Sequence, residues 1–347
     1  MPASMRDVAA LAKVSQRTVS NVVNEYVHVA PDTRAKVLRA IEMLGYTPNA
    51  TARKLRGGQS NLIALAIPEI AAPYFAELAN LIQQEAAGRG NVLLIEQTGG
   101  TRSRELSILS GYPAAMIDGL IINPISINAE DLISHRNNVP TVLLGERIDV
   151  EPGTVKGAFV HVSIDNVAAA RTATDHLLQL GRTRIAAIAA TPAVAPMSRD
   201  SGPGPRRTQG YLEALQWAGV DAPPELRIPV ETWSARQGFA AVDQLIRDGV
   251  IFDALFCFND TLAIGAMSAL HHHGLRIPED VAVVGWDNIA ESQFAVPPLT
   301  TISADTPSLA AVTVDRLLGL VGNPDQSSDD VVVPYELVIR ESTRLTP

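Results

Sequence analysis

Apolar residues recur at helical spacing in three short stretches at the start of the chain, and later in short runs alternating with further helical patterns. The first stretch, "MRDVAALA", carries Met5, Val8, Ala9 and Leu11, and Ser4 precedes Asp7 by three residues, the spacing of a capping box. In "SQRTVSNVVN", Val19, Val22 and Val23 share one side of a helix that Ser15 can cap, with Leu11 and Val14 available to pack on them. The third, "PDTRAKVLRAIEMLGY", spaces Val37, Leu38, Ile41 and Leu44 helically and stops at Gly45. After Ser60 come "LIALAI", "NVLLIE", "DGLIIN", "TVLLGE", "FVHVSI", "RIAAIAA", "DALFCF" and "VAVVGW". Near-continuous apolar strands alternating with helices predict parallel sheets covered on both faces.

The polar side of the second helix is as regular as its apolar side. Gln16, Arg17, Ser20, Asn21 and Asn24 share it, and each can donate a hydrogen bond. Val, Thr, Ser and Asn are mediocre helix formers, so this helix depends on tertiary packing and its outward residues reflect what they touch. Two short helices joined by the tight "KVS" turn predict a helix-turn-helix, whose second member enters a DNA major groove. Gln and Asn match adenine edges and Arg matches guanine, each bidentate contact discriminating by about 1–3 kcal/mol. "VSQRTVSNVVN", residues 14–24, holds no carboxylate, which on this face would meet phosphates. Spacing alone leaves open a solvated helical hairpin within a larger enzyme.

Charge sharpens the picture. Residues 1–60 hold nine Lys/Arg against four Asp/Glu, a net of +5 in a chain of net −9, which leaves −14 on the remainder. Only the N-terminal end is suited to a polyanion. It continues into "TPNATARKLRGGQS", a short basic segment with Arg53, Lys54 and Arg56, marginal alone and able to fold on DNA with Leu55 as an apolar wedge between base steps.

With 347 residues, 46% hydrophobic and 19% charged, the chain can bury more than one core. No apolar stretch of about 18 residues and no basic, apolar leader is present, so a cytoplasmic protein outside the membrane is expected. Cys257 is the sole cysteine, which excludes an intrachain disulfide and a Cys-based zinc site, and its apolar context predicts a core thiol. His271, His272 and His273 point in different directions on a helix and complement its C-terminal dipole before Gly274. Asp329 and Asp330 are expected in a solvated loop. There is no phosphate loop and no nucleophile elbow, and prolines interrupt "GPGPRRTQG" where a dinucleotide fingerprint needs a helix. No metal, cofactor or enzymatic activity is expected.

"MRDVAALAKVSQRTVSNVVN", "TRAKVLRAIEMLGYTPNATARKLRGGQS", "CFNDTLAIGAMSAL", "IPEDVAVVGWDNI" and "PPLTTI" closely resemble, nearly end to end, the lactose-repressor (LacI/GalR) family of bacterial transcription regulators. The resemblance implies an all-α helix-turn-helix headpiece (1–46), a hinge helix (47–60) and an α/β core (61–347) of two doubly wound parallel-sheet subdomains like periplasmic sugar-binding proteins. The first would span about 61–160 plus 291–322, the second about 163–288 plus 323–347, with the ligand between them at strand C-terminal ends. By position it assigns Gln16, Arg17 and Asn21 to base reading and Leu55 to the minor-groove wedge, with Ser15, Thr18, Ser20, Asn24 and Thr33 on phosphates or supporting the headpiece.

The same resemblance assigns Asp165, Arg207, Trp233, Asn259 and Asp287 to the effector, with Tyr74 or Phe75 from the first subdomain, the other of the two entering the core. Arg207 and Asp287 can hold adjacent hydroxyls, Asn259 both donates and accepts, and Trp233 can cover a sugar face or stack on a base. Asp165 and Asp287 end strands, where a carboxylate can instead cap the next helix. "ATPAVAPMSRDSGPGPRRTQGY" departs from the family in length and in Gly/Pro content, and puts Arg199, Arg206 and Arg207 in or beside the cleft. The implied function is a repressor acting as a homodimer on near-palindromic double-stranded operator DNA, controlled by a small effector, a sugar or sugar derivative ahead of a purine or nucleoside. The chain stops at "VIRESTRLTP" without a heptad helix, so a dimer is expected and not a tetramer. The competing class is a solute-binding protein of a sugar transporter, which has no export signal here and leaves the first 60 residues without a purpose.

Overall fold

A computed structural model describes residues 3–23, 26, 28–46, 59–112, 116–134, 139–145, 148, 159–191, 202–323 and 330–344. The chain divides into two compact units, Met1–Ser60 and Asn61–Pro347. Asn24, Leu55, Arg199, Asp329 and nearly all of the expected hinge helix (47–58) lie outside the described residues.

The first unit holds three helices, α1 (Met5–Ala12), α2 (Gln16–Val23) and α3 (Pro31–Leu44). The Ser4 hydroxyl accepts the Asp7 amide while the Asp7 carboxylate accepts the Ser4 amide at 2.8 Å, so the capping box forms at the start of α1. Lys13 and Gly45 take left-handed conformations that close α1 and α3. Val8, Ala9, Ala12, Val19, Val22, Val37, Ala40 and Tyr46 form the core. Leu11 and Leu38, read as core from their spacing, are 45% and 50% exposed. At about 100° per residue, Leu11 sits about 60° from Val8 on the side away from Ala9 and Ala12, and so small a bundle closes on one stripe per helix.

In the second unit, β1 (Leu62–Ile67), α4 (Pro73–Gly88), β2 (Val92–Gln97), α5 (Arg102–Gly111), β3 (Gly119–Ile122), α6 (Ala129–Ser134), β4 (Thr141–Leu144) and β5 (Phe159–Ser163) build the first layer system. The second contains α7 (Asn166–Gln179), β6 (Ile185–Ile188), α8 (Pro203–Ala218), β7 (Arg227–Ile228), α9 (Ala235–Arg247), β8 (Ala254–Cys257), α10 (Asp260–His272), β9 (Ala282–Trp286) and β10 (Thr300–Ala304). The chain ends with α11 (Thr306–Gly322), β11 (Val331–Val332) and β12 (Tyr335–Val338). The first sheet runs β11-β5-β4-β3-β1-β2, all parallel; the second runs β12-β10-β9-β8-β6-β7, parallel except for β12.

All eight apolar runs named from the sequence are strands, but the expected subdomain boundaries shift at the C-terminal end. β10, inside the 291–322 segment expected in the first subdomain, pairs with β9 in the second sheet, Ile302 opposite Trp286. β11, inside the 323–347 segment expected in the second, pairs with β5 in the first. Between them α11 buries Leu309, Val314 and Leu317 against the first sheet, and Gly119 leaves space for Leu317 that a Cβ would fill. The chain therefore passes between the sheets three times.

In both sheets strand order reverses beside the first strand, between β1 and β3 and between β6 and β8, the switch point at whose carboxyl ends such folds bind ligands. Helices α9 and α10 cross at two glycines, since a Cβ on Gly265 would collide with the Ala235 carbonyl and one on Gly238 with that of Leu262. Cys257 is a buried core thiol, and burial pushes its ionisation up. Asp330 is not merely solvated: its carboxylate accepts the His161 amide at 3.2 Å and lies 3.3 Å from that ring's Nδ1. Among the described residues, no helix is long and apolar enough to cross a membrane.

Candidate DNA-reading face and ligand cleft

Helix α2 owes its start to Ser15, whose hydroxyl accepts the Thr18 amide at 3.1 Å and shares a 2.9 Å hydrogen bond with the Thr18 hydroxyl. With Val19 and Val22 buried, Gln16 and Arg17 are left exposed and Thr18, Ser20 and Asn21 half-buried. The carboxylate-free side is therefore not packed inside its own bundle. Thr33, in the first turn of α3, lies beside Lys13, Lys36 and Arg39 around a shallow hollow, which gives this part of the bundle a basic surface.

A cavity of about 510 Å³ opens between the two sheets of the second unit. Its walls come from strand C-terminal ends: Pro68 and Glu69 after β1, Asn123 after β3 and Ser163 closing β5 on one side, with Trp233, Asn259 and Asp287 following β7, β8 and β9 on the other. Six of the seven residues expected at the effector line it: Tyr74, Phe75, Arg207, Trp233, Asn259 and Asp287. Tyr74 and Phe75 do so together, ring centroids 5.2 Å apart edge to face, where only one was expected. They open α4, whose first turn runs along the cleft wall.

Asp165 does not line the cleft. It is exposed, and its carboxylate accepts the Ala168 amide at 2.9 Å as the cap of α7. The adjacent Asn166 takes the place expected for it: it lines the cleft and accepts Arg207 Nε at 2.9 Å. Arg206 is not among the lining residues.

Arg207 is the best-anchored side chain of the site. It is buried, bonds Asn166 and the Phe258 carbonyl, and lays its guanidinium 3.9 Å from the Trp286 ring centroid and 5.3 Å from that of Trp233. Asn259 caps α10 by accepting the Leu262 amide at 2.7 Å and donates to the Trp233 carbonyl at 3.2 Å, so it positions the indole as well as facing the cleft. Asp287 and Asn288 both adopt positive φ, +106° and +53°, a strained turn at the end of β9. The turn is held by Arg340, whose Nη2 donates to Asn288 Oδ1 at 2.6 Å, and by buried Asp260, which accepts the Ile289 amide at 3.0 Å and the Thr301 hydroxyl at 2.6 Å. Burial pushes the Asp287 carboxyl well up, Arg207 opposes this and Asp260 adds to it. Burial also raises the Tyr74 phenol, with further raising by Asp287 and lowering by Arg207, so groups from the two sides feel one another across the cleft.

Trp286, Thr261, Asn123 and the two mouth carboxylates Glu69 and Glu231 also line the cavity and were not foreseen. Several follow apolar strands directly, so the rule that ligands bind at strand carboxyl ends would have found them. Trp286 carried no such signal, because it reads as the last core position of its strand and is buried.

Residues 4–49 match the bacterial regulatory proteins of the lacI family, and residues 174–343 a periplasmic binding protein-like domain. Over 345 residues the chain is 31% identical to the HTH-type transcriptional repressor CytR of Escherichia coli (strain K12), covering 99% of this chain and 97% of that one. It is 30% identical to the HTH-type transcriptional repressor PurR of Haemophilus influenzae (strain PittEE), covering 99% of both. Among solved structures, a lac repressor dimer bound to operator and the anti-inducer ONPF superposes with a TM-score of 0.81 at 30% identity, covering 99% of each chain.

Proposed function

The chain belongs to the LacI family of bacterial regulatory proteins, a DNA-binding transcriptional repressor under the control of a small effector, and from that premise we propose which residues serve each site. Gln16, Arg17 and Asn21 read base edges from α2, while Ser15, Thr18, Ser20 and Thr33 meet phosphates or brace the bundle. Two copies of the chain bind a near-palindromic operator, one recognition helix per half-site.

The effector lies in the cleft against Arg207, Asp287, Asn259 and Trp233, with Tyr74 and Phe75 from the opposite wall. The observation that carries this assignment is that side chains from both sheets line one cavity at strand carboxyl ends, so a ligand there binds both subdomains and biases the angle between them. Coupling of this kind is reciprocal and typically worth about 1–3 kcal/mol. A sugar or sugar derivative fits the pairing of hydroxyl-binding groups with an indole face; a nucleoside stacked on Trp233 is the second reading, favoured by aromatic rings on both walls.

Selection of bound duplexes from a randomised pool by the purified chain tests the first half. Near-palindromic sites are expected, with affinity falling steeply as salt rises. Arg17→Ala should relax the preference at one base pair per half-site, and an unchanged selected sequence would remove Arg17 from base reading. For the cleft, a ligand that raises the melting temperature must also change operator affinity.

A further inference from the structure

Three features of the cleft bear on the charge of what it can hold. The first is its lining: among the described residues around it, Glu69, Glu231 and Asp287 are acidic and Arg207 alone is basic. Glu69 and Glu231 are exposed at the mouth, one on each side, and so act on any ligand that enters.

The second is the engagement of that one cation. Arg207 is bonded to Asn166 and to the Phe258 carbonyl and is stacked on Trp286, with Asp287 beside it. Its Nε, one terminal nitrogen and one face of its guanidinium are therefore engaged within the protein before any ligand arrives.

The third is that three helix N-termini beside the cleft have amides that are missing or already engaged, although such termini ordinarily bind phosphate through unpaired amides. Helix α8 begins Pro203-Gly204-Pro205, so two of its first three positions carry no N–H. In α10 the Asn259 side chain occupies the Leu262 amide, and in α7 Asp165 occupies that of Ala168.

We propose that the cleft selects an uncharged or amine-bearing effector and discriminates against phosphate- or carboxylate-bearing forms of the same compound. This rests on the cleft being the effector site. An anion beside Asp287 would push that carboxyl further toward its protonated form, whereas a hydroxyl or ammonium donor satisfies it as a carboxylate.

The field of the cleft can be read without knowing the effector. The chain has three tryptophans, and Trp217, 69% exposed, is not among the cleft residues. In the full-length Trp217→Phe variant, tryptophan emission therefore comes from Trp233 and Trp286, both of which line the cavity, and with Trp286 buried the quenchable part reports from Trp233. Quenching by caesium, normalised to free N-acetyltryptophanamide, should exceed that by iodide at low salt, and Glu69→Gln with Glu231→Gln should bring the ratio toward one. Iodide equal to or better than caesium, or a ratio indifferent to the double substitution, overturns the proposal. In parallel, matched compounds are compared in thermal shift on the wild-type chain: a hexose, its amino sugar and its 6-phosphate, and a nucleoside with its 5′-monophosphate. Any pair that binds should show the phosphorylated member at least about tenfold weaker; a phosphorylated member that binds as well as its parent refutes the charge rule. If no pair binds, the quenching ratio decides alone. A ligand that obeys the charge rule yet leaves operator affinity unchanged counts against the regulatory reading and spares this one.

Discussion

Asp260 offers the sharpest test of how the cleft is held together. Its carboxyl is fully buried at the start of α10, where it receives the Thr301 hydroxyl at 2.6 Å and the Ile289 amide at 3.0 Å. A Cβ on Gly285 would strike it, so the backbone of β9 closes the remaining side. Desolvation outweighs these donors and moves the carboxyl from 3.8 to about 7. A folded-state value above the unfolded one means that the associated stability is complete below about pH 3.8 and drains as pH climbs through about 7. Asparagine mimics the protonated acid but cannot ionise. Asp260→Asn should therefore cost about 1–3 kcal/mol at about pH 5.5, for one donor left badly matched. Between about pH 5.5 and 8 the wild-type chain then loses about 2 kcal/mol that the variant keeps, so the gap between them should close or reverse. Urea unfolding of both proteins at the two pH values measures it. A gap that stays constant, or widens toward pH 8, would show that the ionised form is the favoured one and refute the reasoning.

Other expectations follow from single contacts. Gly265→Ala forces a methyl against the Ala235 carbonyl and must part α9 from α10, costing about 1–3 kcal/mol or more as a lowered urea midpoint. Ser4→Ala removes one half of the capping box and should destabilise the headpiece by about 1 kcal/mol, seen as reduced operator affinity with the melting of the core unchanged. Arg207→Met keeps bulk on Trp286 but leaves the Phe258 carbonyl and Asn166 without their charged partner. We expect a stability loss of about 1–3 kcal/mol and no change of operator affinity on ligand addition; a normal ligand response would remove Arg207 from the site.

Much of the DNA-reading unit was legible from local pattern. The Ser4–Asp7 box, the Ser15 cap and the Val19–Val22 stripe are contacts within a few residues of each other, so spacing is enough to find them. Leu11 and Leu38 misled because spacing reports which residues share a face and cannot say which of two adjacent apolar faces a neighbour will cover. In the cleft, Arg207, Trp233, Asn259 and Asp287 were named by resemblance and do converge, while Asp165 was displaced by one residue to Asn166. The reason is local: a strand-to-helix turn gives one side chain to the helix amides and turns the next inward.

The sequence alone determined that this chain has a carboxylate-free helix face at its basic end and eight apolar strands after it, because hydrophobic period and charge are properties of short segments. Only the tertiary structure decided that β10 joins the second sheet and β11 the first. It also decided that Arg207 is stacked on Trp286, 79 positions further along, and that Asp260 is bonded to Thr301 over the end of β9. Those pairings join segments far apart in the chain, and their burial changes what the groups are chemically: the same carboxyl that would be an ordinary acid in an extended chain becomes, once enclosed, one that holds its proton near neutrality.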